Sequence, residues 1–166
     1  MKSIPTSLLL ACALLTPVSF SMAAEESRKL VIHPIVTDKA GEVFEHWEHP
    51  DGHPFSIPTA HTAQRGALLA AVVLFEGCLA DKEGNCNVDL DIRTVDPTGK
   101  TYGEMKGEDL WQGKQAPTPG YSQLGHAYMG LRIEPHDPLG TYKVLVIAHD
   151  RNAGTTVQAE TTFKVK

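Results

Sequence analysis

Histidine is the residue type whose number and spacing come nearest to chemistry in this chain of 166 residues. Eight are present, and four of them, His46, His49, His53 and His61, crowd one short stretch. The segment Glu45-His46-Trp47-Glu48-His49-Pro50-Asp51-Gly52-His53 mixes imidazole with carboxylate, a donor set that suits zinc or copper(II). Its spacing matches no well-defined ligand motif. In an extended strand His46 and His49 face opposite sides, whereas in one helical turn they converge, and Pro50 and Gly52 leave that turn no continuation. Two readings stand side by side. The first is a solvent-facing loop whose histidines cap turns or pair with Glu45, Glu48 and Asp51, in a protein that needs no cofactor. The alternative is a Zn or Cu(II) site built from His46, His49, His53 and His61. Met105 and Met129 are the only methionines beyond residue 24, which does not support a methionine-rich copper(I) carrier. His126, His136 and His149 fall near strand ends around positions 137–140 and read as surface histidines.

Nucleophilic catalysis has little raw material. Beyond residue 24 the chain keeps Ser27, Ser56 and Ser122, none in a Gly-x-Ser-x-Gly elbow. His-Glu-x-x-His, phosphate-binding glycine loops and dinucleotide fingerprints are absent, and Asp81-Lys82-Glu83-Gly84-Asn85 is too short for a calcium loop. The expectation is a module without catalytic groups.

Residues 1–24 have the make-up of a secretory signal peptide: Lys2, an apolar run from Leu8 to Leu15, and small residues Ser21, Ala23 and Ala24 for cleavage. Leu9-Leu10-Ala11-Cys12 resembles a lipoprotein box, but apolar character continues past Cys12 to Phe20, which fits cleavage after Ala23 or Ala24 better. The apolar run is too short to span a bilayer, so no membrane span is expected. A periplasmic or secreted bacterial protein follows, with residues 25–166 forming one domain. Export makes a disulfide the default reading of Cys78 and Cys86, which flank the turn formers Asp81, Gly84 and Asn85. The net charge of −5 and the lack of any Lys/Arg run argue against nucleic acid as a partner.

The elements that must position these residues are strands. Val157 to Val165 alternates apolar and polar residues with period two, as do Val88 to Thr94 and Met129 to Ile133. Leu68 to Phe75 and Tyr142 to Ala148 are apolar on both faces, as in strands covered from both sides. Leu30 to Val36 and a weaker run from Tyr102 to Leu110 bring the count to about seven. No amphipathic helix is expected. Asp96-Pro97-Thr98-Gly99, Asp137-Pro138-Leu139-Gly140 and Asn152-Ala153-Gly154 punctuate the strands with turn chemistry.

Thr37 to Arg65 and Gly113 to Leu124 are long and irregular, which marks them as functional loops or covers. Leu145 and Ile147 point away from Tyr142, Val144 and Val146 in a regular strand, and an outward apolar pair needs a cover. The first candidate is the segment from Thr37 to Pro58, with Phe44, Trp47 and Phe55 as lids. The second is a partner protein. Trp111 and Tyr121 admit the same two readings, as packing on the rim or as binding anchors.

Asp137-Pro138-Leu139-Gly140-Thr141-Tyr142-Lys143-Val144 resembles the entry to the penultimate strand of immunoglobulin-like domains. Together with Val144 to Asp150 and a last strand ending Phe163-Lys164-Val165, it is similar to the closing hairpin of bacterial immunoglobulin-like and macroglobulin-like modules. Val144 replaces the cysteine of antibody domains, and Val88 to Val95 lacks their tryptophan. The resemblance covers about the last thirty residues. It implies a corner tyrosine at Tyr142, whose hydroxyl reaches nearby backbone, and a scaffold used for binding. The whole reads as an all-β, immunoglobulin-like β-sandwich of about seven antiparallel strands with long irregular loops. Its expected role is binding another exported protein or ligand.

Overall fold

Strand alternation is realised as two stacked sheets in the computed structural model, which describes residues 29–50, 52, 53 and 55–166. The signal-peptide expectation for residues 1–24 lies outside the described residues. The elements run β1 (Val31–Thr37), α1 (Ala40–Glu48), β2 (Thr62–Ala63), β3 (Leu68–Glu76), β4 (Asn85–Val95), β5 (Thr101–Gln115), β6 (Gln123–Leu124), β7 (Met129–Arg132), β8 (Gly140–Asp150) and β9 (Thr155–Val165). Among the described residues the fold is all-β apart from one short helix.

One sheet pairs β1 with β3, whose other edge carries β6 at one end and β7 at the other. The second runs β2-β9-β8-β4-β5, antiparallel throughout except for the parallel β2 and β9. Between them lies the main core. Leu69, Ala71, Val73 and Phe75 of β3 face Val88, Leu90 and Ile92 of β4 and Tyr142, Val144, Val146 and Ala148 of β8 in one buried cluster. Period-two alternation puts these residues on the inner faces, where burying each large side chain stabilises by roughly 1.5–3 kcal/mol.

Two expectations need correction. The first is the absence of a helix: α1 places Ala40, Val43, Phe44 and Trp47 at i, i+3, i+4 and i+7, which makes one apolar face. The Thr37 hydroxyl accepts the Lys39 N–H (3.0 Å) ahead of the first turn. Pro50, which cannot continue a helix, follows the last turn, where His49 N–H donates to Glu45 C=O at 2.9 Å.

The second correction concerns the cover over Leu145 and Ile147. The Thr37 to Pro58 segment does act as a lid, but it lies on the other sheet. Val43 packs with Ala70, Val72 and Leu124 in a second buried cluster, joined by Ile35, Phe44, Trp47, Phe55 and Leu74. The physical reason is side-chain size: Ala70 and Val72 leave room for a helix against β3. On β8, Leu145 stands between Arg93 and Glu160, and Ile147 between Asp91 and Gln158. Long polar stems shield these two aliphatic residues, which stay half-buried without a helix.

The Cys78–Cys86 disulfide forms, with Cα atoms 6.0 Å apart. Its loop is organised by Asp81, whose Oδ1 accepts the N–H groups of Glu83 and Asn85, both at 2.9 Å. Asp150, buried at the tip of the β8–β9 hairpin, clamps the loop by accepting the Leu79 N–H at 2.7 Å. Asn152 donates from Nδ2 to the Leu79 and Asn85 carbonyls. Nearby, Arg151 donates from Nε and Nη2 to Asp89 Oδ2 at 2.9 and 2.6 Å.

Before β8, the Tyr102 hydroxyl sits between the Arg132 carbonyl and the buried Asp137 carboxylate, which also accepts the Glu134 N–H at 2.6 Å. Tyr142 stacks on Phe163 at 5.2 Å and donates its hydroxyl to the Pro138 carbonyl at 3.1 Å.

Replacing both Cys78 and Cys86 with serine should lower the unfolding free energy by about 2.5 kcal/mol in urea titrations, since the short loop is no longer closed in the unfolded chain. The Tyr102 phenol is raised above its ordinary value of 10.0, first by burial and then by its bond to Asp137. Its neutral form is therefore favoured by folding, a contribution fully present below pH 10 and lost as pH rises above it. Urea midpoints should fall above pH 10 with a shallower slope in Tyr102→Phe than in the parent; parallel slopes would refute this role.

Candidate functional site

A cleft opens where α1 meets the edge of the second sheet, and its floor is a stretch of backbone that ties the two sheets together. Gly125 N–H donates to the Val73 carbonyl of β3 at 2.8 Å. The next two N–H groups, of His126 and Ala127, donate to Leu110 and Asp109 of β5 at 3.2 and 3.0 Å. The strap lies so close to β5 that a Cβ at residue 125 would sit 2.2 Å from Leu110 Cδ1, so a larger residue there would have to displace the buried Leu110 side chain.

The cleft has a volume of about 500 Å³, within the range of small-ligand sites. Phe44, Trp47 and Glu48 of α1 form one wall; Trp111 and His126 form the other, above Leu124 and Gly125. Tyr128 closes one end against Phe44, ring centroids 4.9 Å apart, and Gln123 lies at the rim. Both tryptophans of the chain therefore face one cavity.

Each aromatic is held by its element. Trp111 packs its ring against Phe75 of the core, centroids 5.5 Å apart, and donates Nε1–H to the Gln115 carbonyl at 2.8 Å. A bulge at Gly113 (φ 64°) makes that return possible, because the register shifts as Asn87 pairs with Gln112 and Cys86 with Lys114. The extra residue also brings Lys114 to the Trp111 side, its ammonium 5.3 Å from the ring centroid. Lys114 Nζ lies 2.7 Å from His126 Nε2, and His126 Nδ1 lies 3.4 Å from Asp109 Oδ2. An ammonium and an imidazole thus lie against the indole, and a carboxylate reaches the imidazole.

The histidines of the first irregular stretch do not share a point. His46 stacks on Phe55 (4.1 Å, 18°), while His49 turns back to Glu45 at 3.5 Å. His53 lies in the bend beyond the helix, and His61 is exposed beside β2, its carbonyl accepting the Lys164 N–H at 3.0 Å. Among the described residues no three or more His, Cys, Asp or Glu side chains gather as a metal centre; Asp51 lies outside those residues. His149 bonds Thr156 on β9 (3.1 Å), and Ser122 donates to Glu76 at 2.7 Å.

Of the four expected contact residues, Trp111 lines the cleft and Tyr121 stands 70% exposed outside it. Leu145 and Ile147 line a smaller depression of about 300 Å³ with Arg93, Lys106 and Gln158. Sequence marks Phe44 and Trp47 as lid residues, whereas Tyr128, Gln123 and Glu48 carry no signal for a cavity beyond their types. They meet through contacts between distant parts of the chain.

No protein-family model matches the chain, and no curated protein does. Among solved structures it is similar to a family 123 glycoside hydrolase from Clostridium perfringens, at 8% identity and a TM-score of 0.39 over 81% of this chain. It spans only 27% of that hydrolase chain. It is also similar to a Niemann-Pick type C2 protein from the Japanese carpenter ant, at 12% identity and a TM-score of 0.39, covering 63% of this chain and 79% of the other. Likenesses of this extent transfer neither ligand nor activity to the chain.

Proposed function

We propose that the chain is an exported binding module of immunoglobulin-like type, and that the cleft between α1 and β5 receives its ligand. The observation that carries this reading is the convergence of Phe44, Trp47, Trp111 and Tyr128 on one cavity whose polar groups are few. Large rings with fixed geometry offer contact area at low conformational cost, and a few polar groups orient what they hold. Strand order supports the immunoglobulin-like part: the last two strands β9 and β8 pair with each other, and β8 pairs with β4 and β4 with the edge strand β5, while β1, β3 and β7 form the opposite sheet. Export is supported by the composition of residues 1–24 and is compatible with the disulfide.

Because both tryptophans of the chain line the cleft, tryptophan emission excited beyond the tyrosine absorption reports on it. Titration with sugars, amino acids, quaternary amines and fatty acids should find a class that shifts the emission saturably. Trp47→Ala should weaken that binding by at least about tenfold, the effect of losing roughly 1.4 kcal/mol of aromatic contact. Melting curves would confirm that the variant folds. Emission that responds to none of these classes would dispose of the cleft as a site.

A further inference from the structure

Resting on the reading of the cleft as a binding site, we propose that its ligand is a neutral carbohydrate, with the rings of the glycan lying between the helix wall and the Trp111 wall. Charge narrows the choice first. The Trp111 ring already has the Lys114 ammonium 5.3 Å from its centroid, so a cationic ligand would meet repulsion at that ring. An anion would meet the Glu48 carboxylate on the helix wall, the one charged carboxylate that lines the cavity.

Polarity narrows it further. A wholly apolar ligand would cover Glu48, Gln123 and His126 without offering any of them a hydrogen bond, which costs free energy for each group taken from water. Glu48 when ionised only accepts hydrogen bonds, and the Gln123 amide both donates and accepts. The complement is a molecule whose edge carries groups that do both, namely hydroxyls, and whose faces carry none.

Ring faces supply the remaining constraint. The negative potential over an indole or phenyl face attracts polarised C–H groups, and a saturated sugar ring presents C–H bonds on its faces and hydroxyls around its rim. Trp47 and Phe44 line the cavity on one side and Trp111 on the other, while Lys114, close to the Trp111 ring, is not among the lining residues. Glu48 is exposed on the last turn of α1, at the rim, where it can take hydroxyl hydrogens without supporting the fold.

The test is calorimetry and tryptophan emission on the disulfide-bonded chain with four probes: short neutral hexose and N-acetylhexosamine oligomers, a uronic acid oligomer, tetramethylammonium and a fatty acid. The neutral oligomers should bind saturably and the other three should not. Glu48→Gln should raise the dissociation constant for the neutral oligomer about tenfold or more, with an unchanged melting temperature. Neutral binding that Glu48→Gln leaves intact would overturn the assignment to this cleft. A response to tetramethylammonium, the uronic acid or the fatty acid with neutral oligomers silent would overturn the glycan while leaving the cleft as a site. Silence with all four would overturn the glycan, and the wider panel above then decides whether the cleft binds at all.

Discussion

The outer face of β3 is dry at its centre, because Ala70 and Val72 lie under Val43 of α1 while Ala71 and Val73 lie under the second sheet. Small side chains at 70 and 72 set the distance at which the helix can rest, and Val43, fully buried, is the residue that rests there. Every other property of the helix follows from that seat. With Val43 pointing down, Phe44 and Trp47 project beside it, toward the open end of β3 where β6 is only two residues long. Aromatic surface that a longer neighbouring strand would have covered is left to line a cavity.

The opposite wall depends on irregularities in an edge strand. β5 keeps its pairing with β4 over fifteen residues only by shifting register several times, and glycines with positive φ stand at positions 107 and 113 within it. Such bulges twist an edge and make it a poor template for another strand. Here they also aim side chains. The shift at Gly113 puts Trp111 and Lys114 together, and the one near Gly107 lets its N–H bond Asp91 at 2.8 Å. The strap at Gly125 then fixes the two sheets at this edge, so the cleft has a rigid floor instead of a gap between sheets.

Strands were legible because their signal is local. Alternation in Val157 to Val165 or Val88 to Thr94 needs no knowledge of the partner, and the inner faces appear where period two puts them. β5 was read only as a weak, shorter run because its bulges break the period that identifies a strand. The helix was missed although Ala40, Val43, Phe44 and Trp47 have helical spacing. Nine residues make a short helix, and Gly41 within it, with His46, His49 and His53 in and after it, invites a loop. The disulfide was legible from the expected export and the short turn-forming spacing of Cys78 and Cys86, whereas Asp150 and Asn152, which clamp its loop, carry no sequence mark that ties them to Leu79.

By itself, the sequence determined the class: two faces of alternating side chains that must close on each other, stapled at Cys78 and Cys86, with little equipment for nucleophilic chemistry. Tertiary structure decided which surface the aromatic segment would cover. From the chain alone, the outward Leu145 and Ile147 and the outward Ala70 and Val72 are equal claimants for the lid. The choice falls to β3 because small residues admit a helix where Arg93, Glu160 and Gln158 already shield the other sheet. Only that docking brings Trp47 opposite Trp111, since contact between residues so far apart in sequence is a property of packing and leaves no periodic trace in either segment.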